Sequence, residues 1–302
     1  MVPPHTALMK LDGIFPPITT PFDHDGNLYK AKVRHNVEKW NLTALAGYVV
    51  CGSTGESVLL TGEEKLQLWG WVAEYAAPEK LLIAGTGMES VRETVSLTNQ
   101  AAEAGYKAAL VRTPHYYKNL VSNAAAQMLF FRAVADQARI PVLIYNVPQA
   151  TGVDISAEAV IQLSEHPNIV GLKESSGNIE KLMRMTREAK PGFQVLSGSA
   201  PTLWPSLMVG AAGAVLALAN AAPYSTIAIW EAFRTREYGA AEDWQNRISR
   251  AAVLVTAKYG VPGLKYAMDL NGYYGGPPRL PLTVPSPEAK REIEEAFKDL
   301  KG

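Results

Sequence analysis

The chain has 302 residues and a mass of 32.7 kDa, enough for one large α/β domain with an extension or for two ordinary domains. Hydrophobic residues make up 47% and charged residues 19%, which excludes disorder as the main state. The 29 basic and 29 acidic side chains cancel, so neither nucleic acid nor an anionic membrane is an expected partner, since both require excess positive charge. A lone cysteine, Cys51, allows no intrachain disulfide and no cysteine-based zinc site, and reads as a small buried hydrophobe. Residues 1–11 carry two prolines and no apolar run, unlike a signal peptide. The longest apolar run, residues 207–219, is shorter than the ~18 residues of a spanning helix. A cytoplasmic protein is expected.

Eight runs rich in β-branched and aliphatic residues recur along the chain: 13–20, 47–51, 81–85, 108–111, 142–145, 169–173, 194–197 and 214–217. Most are continuously apolar, as strands buried on both faces of a parallel sheet must be. Helical signals fill the gaps. Thr61-Gly-Glu-Glu64 and Ser90-Val-Arg-Glu93 are capping boxes, and further helices are expected over about 122–138, 156–164 and 178–189. The strand starts lie mostly about 25–35 residues apart, the period of a βα unit. Eight such units close into an α/β fold of the (β/α)8 barrel type, with an open doubly wound sheet as the alternative. The expected organisation is a barrel over residues 1–222. Residues 223–302 form a C-terminal helical extension packed on it, with breaks at 260–262 and 273–281.

Several motifs fail on inspection. Gly85-Thr-Gly87 follows a strand, but position 90 is Ser, so the dinucleotide fingerprint is incomplete. Asp23-His-Asp25-Gly-Asn27 begins like a calcium loop, but its twelfth position is Arg34, so it reads as a turn. The five histidines lack metal-ligand spacing, and neither a metal nor another cofactor is expected.

In such a barrel the chemistry sits at the carboxyl ends of the strands. The sixth run ends Gly171-Leu-Lys173-Glu-Ser175. A lysine closing an apolar strand either pairs with Glu174 or is a desolvated amine able to attack a ketone and form a Schiff base. Tyr145, closing the fifth run, is either a core aromatic or a proton shuttle. Gly52-Ser53-Thr54-Gly55-Glu56 follows the second run and is either a plain turn or a loop that offers amides and hydroxyls to a carboxylate. Thr113-Pro-His-Tyr-Tyr117 follows the fourth run, near the same rim.

These motifs together, with Pro17-Ile-Thr-Thr-Pro-Phe22, Tyr145-Asn-Val-Pro148, Thr151-Gly152, Gly198 and Ala217-Leu-Ala-Asn220, resemble the dihydrodipicolinate synthase / N-acetylneuraminate lyase family of pyruvate-dependent class I aldolases. The resemblance runs from about residue 11 to 282. It implies a (β/α)8 TIM barrel with a C-terminal helical extension, and no cofactor. It implies Lys173 as the Schiff-base lysine, Tyr145 as general acid/base, and Ser53 and Tyr117 as relay hydroxyls, with Tyr117 reaching the neighbouring subunit's site. Ser53, Thr54, Ser175 and Gly198 are implied in substrate binding. Pyruvate with an aldehyde is the implied substrate pair, and a homotetramer built as a dimer of dimers is the implied assembly.

One departure bears on the substrate. The synthase members carry an arginine two residues after the proline of Tyr-Asn-Val-Pro, where this chain has Ala150. The stretches His166-Pro-Asn-Ile-Val-Gly171, Gln194-Val-Leu-Ser-Gly-Ser-Ala200, Gly260-Val-Pro-Gly-Leu-Lys265 and Asn271-Gly-Tyr-Tyr-Gly-Gly-Pro-Pro-Arg279 look like the 4-hydroxy-2-oxoglutarate aldolase branch. That branch cleaves its substrate to pyruvate and glyoxylate. Thr54 and Arg112 depart from its usual residues. Arg112 is either a replacement carboxylate clamp or a residue of the helix layer. The alternatives are the synthase itself, a sugar-acid aldolase or dehydratase, and a non-catalytic barrel that senses a 2-oxo acid.

Overall fold

The computed structural model describes residues 9–300; the first eight residues, which bear on a targeting segment, lie outside them. Eight strands follow one another: β1 (Gly13–Phe15), β2 (Gly47–Val50), β3 (Leu81–Gly85), β4 (Ala108–Arg112), β5 (Val142–Asn146), β6 (Ile169–Glu174), β7 (Gln194–Ser197) and β8 (Gly213–Val215). They pair in parallel in the order β1-β8-β7-β6-β5-β4-β3-β2. Between β1 and β2 a parallel bridge joins Pro17 to Val49, Ala46 N donates to Ile14 O at 2.9 Å, and Val49 N donates to Pro16 O at 3.0 Å. The sheet therefore closes, and the fold is the expected (β/α)8 barrel.

The helices between and after the strands are α1 (Lys30–Asn41), α2 (Gly62–Tyr75), α3 (Val91–Glu103), α4 (Lys118–Val121), α5 (Ala124–Ala135), α6 (Pro148–Thr151), α7 (Ala157–Leu163), α8 (Ile179–Glu188) and α9 (Leu203–Met208). Four more follow the last strand: α10 (Pro223–Arg234), α11 (Tyr238–Val253), α12 (Gly260–Leu270) and α13 (Pro287–Ala296).

Local chemistry sets these boundaries. Thr61 and Glu64 complete the expected capping box at α2. At α3 only half of it forms, Ser90 Oγ accepting from Glu93 N at 3.1 Å. The expected helix over 122–138 starts at Ala124 because Asn123 caps it, behind the separate short turn α4. β1 is shorter than its apolar run because Pro16 and Pro17 have no N–H to donate. After β8, residues Ala217–Asn220 form a 3-10 turn and not the end of a strand. Its Asn220 amide donates to Pro17 O at 3.0 Å and accepts from Thr19 N at 3.2 Å, tying the last strand's loop to the first. Asp23 folds the expected turn, its carboxylate accepting from the amides of Asp25 and Asn27.

Successive strand residues face opposite sides. One set, including Phe15, Val49, Ile83, Leu110, Leu143, Leu196 and Val215, fills the barrel interior. The other, including Ile14, Tyr48, Val50, Ile144 and Leu172, packs under the helices with Trp40, Trp69 and Phe131. Each fully buried aliphatic or aromatic side chain contributes about 1.5–3 kcal/mol. These side chains fill the interior, so reactants are met at the carboxyl ends of the strands, as in other barrels of this type.

After β8, α10 packs on β1 and α11, and α13 packs on α11 and α12 through buried Ile293. The break expected at 260–262 falls at Tyr259–Gly260, after a π-helical turn over Leu254–Lys258. No helix among the described residues is long and apolar enough to cross a membrane.

Candidate active site

Arg112, Tyr145 and Lys173 stand side by side at the carboxyl ends of β4, β5 and β6, Arg112 in register with Tyr145 and Tyr145 in register with Lys173. Register partners share a face, and Tyr145 belongs to the interior set, so all three face the barrel mouth. Arg112 is therefore not a residue of the helix layer. Lys173 is 5% exposed, and its amine lies 4.2 Å from the centroid of the Tyr145 ring, within cation–π range.

Glu174 does not pair with Lys173. As the next residue of the strand it faces the opposite side, where its carboxylate accepts from Asn146 Nδ2 at 3.0 Å and Ser176 N at 2.7 Å, and meets Lys181 at 3.4 Å. No carboxylate lies within 4.0 Å of the Lys173 amine among the described residues. An amine buried without a counter-ion and next to a phenol is suited to attack a carbonyl carbon.

The loop after β2 is held in an unusual backbone. Cys51 and Glu56, neither of them glycine, lie at φ 61° and 56° on either side of Gly52–Gly55. Left-handed backbone at such residues persists only where the surroundings enforce it. Thr20 Oγ1 donates to Gly55 O at 2.6 Å, and the Glu56 side chain is fixed by Lys265 and by Arg279 N. Within the loop Gly55 N and Glu56 N donate to Gly52 O and Ser53 O, both at 3.0 Å, while the amides of Ser53 and Thr54 have no acceptor among the described residues. Those amides and the two hydroxyls are free to receive an anion. Tyr145 Oη donates to Ser53 Oγ at 3.5 Å, the long end of a hydrogen bond.

Ser175 follows Lys173 by two and so shares its face; its hydroxyl is buried with no hydrogen-bond partner among the described residues. Gly198 donates its amide to Glu174 O at 2.7 Å, and a Cβ there would collide with the Ser175 hydroxyl. Tyr117 stands apart. It is 66% exposed at the rim, its ring edge-on to Tyr116, and among the described residues no hydrogen bond joins it to Ser53 or Tyr145. Ala150 is exposed on α6, and its neighbour Gln149 donates to the carbonyls of Ser175 and Ser176.

Three groups escaped the sequence reading. Lys65 lines the same pocket as Ser53, Arg112 and Tyr145 although it sits on α2. Glu89 gathers Arg112 Nη1 at 3.1 Å, the His115 ring at 2.8 Å and the amides of His115 and Tyr116. Asn146 orders the strand ends by donating to Asp154 and Glu174. Only a polar residue in a buried strand could have signalled the last of these. The first depends on which helix lies beside which strand, and the second, in the loop between β3 and α3, on which strand ends are neighbours. No cluster of three or more His, Cys, Asp or Glu side chains suited to a metal ion occurs among the described residues.

Residues 10–300 match the family model described as the dihydrodipicolinate synthetase family. A 4-hydroxy-tetrahydrodipicolinate synthase from Methanothrix thermoacetophila is 37% identical over 297 residues, 96% of this chain and 98% of its own. A probable mitochondrial 4-hydroxy-2-oxoglutarate aldolase from Emericella nidulans is 37% identical over 292 residues, 95% of this chain and 94% of its own. The crystal structure of a dihydrodipicolinate synthase from Bacillus anthracis superposes with a TM-score of 0.92 at 28% identity, covering 97% of this chain and 100% of that one. A prophage protein of the same family from E. coli K12, solved in complex with pyruvate, gives 0.90 at 26% identity, covering 96% of this chain and 98% of that one. The fold and its relatives define an enzyme of the lyase class, of the aldolase type. The chain belongs to the dihydrodipicolinate synthetase family.

Proposed function

We propose that the enzyme cleaves a 4-hydroxy-2-oxo acid through an imine on Lys173, with 4-hydroxy-2-oxoglutarate as substrate and pyruvate and glyoxylate as products. The observation that carries this reading is the Lys173 amine, buried at the barrel mouth without a counter-ion and beside the Tyr145 ring. Lys173 Nζ attacks the C2 ketone, and loss of water leaves an iminium. Tyr145 Oη takes the proton of the 4-hydroxyl as the C3–C4 bond breaks and its electron pair moves onto the iminium nitrogen. The aldehyde leaves, the proton returns to C3 of the enamine, and water releases pyruvate. Ser53, next to Tyr145 Oη, passes protons onward. The Ser53 and Thr54 amides hold the carboxylate next to the ketone, with Ser175 and Gly198 on the opposite wall.

Ala150 favours the aldolase over the synthase, because a methyl side chain cannot form the bidentate clamp on a distal carboxylate that an arginine there makes. The synthase is the second reading, supported by the synthase relative at the same 37% identity. Pyruvate release measured over a panel of 4-hydroxy-2-oxo acids, beside condensation of pyruvate with aspartate semialdehyde, separates the two.

The exposed cluster of Tyr116, Tyr117 and Leu120 supports a homotetramer built as a dimer of dimers, in which Tyr117 completes a neighbour's relay. The cytoplasm is the compartment proposed for it, and a 2-oxo acid, not nucleic acid or membrane, is its partner.

A further inference from the structure

Tyr145 and Lys173 are register partners on neighbouring strands, and so are the residues that follow them, Asn146 and Glu174. The first pair faces the barrel mouth and the second faces the helices. On that outer face Asn146 Nδ2 donates to both Glu174 carboxylate oxygens at 3.0 Å and to Asp154 Oδ1 at 2.7 Å, while Asn146 Oδ1 accepts from Ile155 N at 3.2 Å. Glu174 also accepts from Ser176 N at 2.7 Å, and the Lys181 amine on α8 lies 2.6 Å from Asp154 and 3.4 Å from Glu174. Asn146 is 0% and Glu174 2% exposed.

On the same face the neighbouring positions of the two strands carry Ile144 and Leu172, so an amide and a carboxylate are unfavourable there unless they do something apolar side chains cannot. The best-attested use of buried polar partners is to select one register out of several. The β5–β6 ladder needs such a selection. Val142 pairs with Ile169 but Leu143 pairs with Gly171, so Val170 is an extra residue in β6. Without it Tyr145 would stand opposite Leu172 and Asn146 opposite Lys173, with the amine aimed at the helix layer. The bond between Asn146 and Glu174 forms only in the register that keeps the extra residue.

We infer that Asn146 and Glu174 are positioning residues, whose bond on the outer face fixes the register that sets the Lys173 amine against the Tyr145 ring on the inner face. The inference rests on the imine reading of Lys173 above. Asp154, exposed and off the strands, steadies Asn146 but does not join β5 to β6. A displacement of the amine by about 1 Å is enough to slow its attack on a carbonyl by about 10²-fold, while the loop after β2 still holds the carboxylate.

Pyruvate is the probe, mixed with the full-length protein, quenched with borohydride at timed intervals and read as adduct by intact mass. Asn146→Ala leaves Glu174 with Ser176 and Lys181, so the buried carboxylate stays paired. It is expected to slow imine formation about 10–100-fold, at a half-saturating pyruvate concentration close to that of the wild type. Glu174→Gln keeps a side-chain carbonyl for Asn146 and retains most of the rate. Asn146→Ala combined with Glu174→Ala is no slower than Glu174→Ala alone, because residues that act as one unit do not add. If Glu174→Ala does not fold, Asn146→Ala and Glu174→Gln carry the comparison by themselves. Asp154→Asn lowers the urea midpoint and leaves the imine rate unchanged, which separates positioning from stability. An unchanged rate in Asn146→Ala, a raised half-saturation at unchanged maximal rate, or equal slowing in Asp154→Asn overturns the inference alone. A wild type that forms no pyruvate imine overturns the Lys173 chemistry and the inference with it.

Discussion

Glu56 and Lys265 form an ion pair of 2.6 Å in which each side chain is 1% exposed, joining the loop after β2 to α12. The lysine also donates to Thr20 O at 2.9 Å and Pro277 O at 3.0 Å. Its pair partner holds the left-handed backbone that presents Ser53 and Thr54. Removing one member strands the other charge in the interior, which destabilises by about 3–5 kcal/mol. Lys265→Met is expected to lose this much in urea unfolding, and adding Glu56→Gln to it is expected to recover part of the loss. A single-variant loss under about 1 kcal/mol would show that the pair does not hold the loop.

Incubation with pyruvate and borohydride is expected to leave one stable adduct, on Lys173, located by peptide mass spectrometry. Tyr145→Phe keeps the ring under the amine and removes only the hydroxyl. It is expected to lower kcat and kcat/KM together by about 10²–10⁴-fold, as for a group acting in the transition state. A rise in KM alone would assign Tyr145 to binding.

Arg279 donates to Glu64 through two guanidinium nitrogens, at 2.7 and 2.6 Å, and to Gly26 O and Leu59 O. The Arg279 hydrogen bonds hold the Glu64 carboxyl below the usual carboxylate range of 4.5. A lowered native pKa stabilises the fold above the unfolded value, and that stability is lost as pH falls through the native value. Urea midpoints from about pH 6 to about pH 3 are expected to fall less steeply for Glu64→Gln than for the wild type, starting from a lower midpoint. Identical acid slopes would remove Glu64 from the acid response.

The kcat/KM for 4-hydroxy-2-oxoglutarate cleavage is expected to exceed that for condensation of pyruvate with aspartate semialdehyde. Ala150→Arg is expected to move the ratio toward condensation by about 10–100-fold, what a charge-assisted clamp contributes. A wild-type preference for condensation would make the enzyme a synthase that binds the distal carboxylate without an arginine at position 150.

Tyr117→Phe is expected to lower kcat as Tyr145→Phe does. If Tyr117 serves a neighbour, mixing the separately inactive Tyr117→Phe and Lys173→Ala proteins through a denaturation and refolding cycle is expected to restore activity. No gain on mixing would place the Tyr117 hydroxyl outside the relay.

The sequence by itself pointed to eight βα units, because mostly apolar runs recur with helical signals between them, and the strand-end position of Lys173 and Tyr145 follows from where those runs stop. Closure into a barrel and not an open sheet was decided by the pairing of β1 with β8 and its bonds to β2. It also located the loop at Ser53 and the turn at Asp23, whose glycines and short polar residues act locally. What only the tertiary structure decided depends on contacts between segments far apart in the chain. Register between β4, β5 and β6 placed Arg112, Tyr145 and Lys173 side by side in the barrel mouth, since a shift of one residue reverses the face of every side chain. Packing of α2 and α12 brought Lys65 to the pocket and Lys265 to Glu56, and no local pattern encodes which buried charge meets which partner.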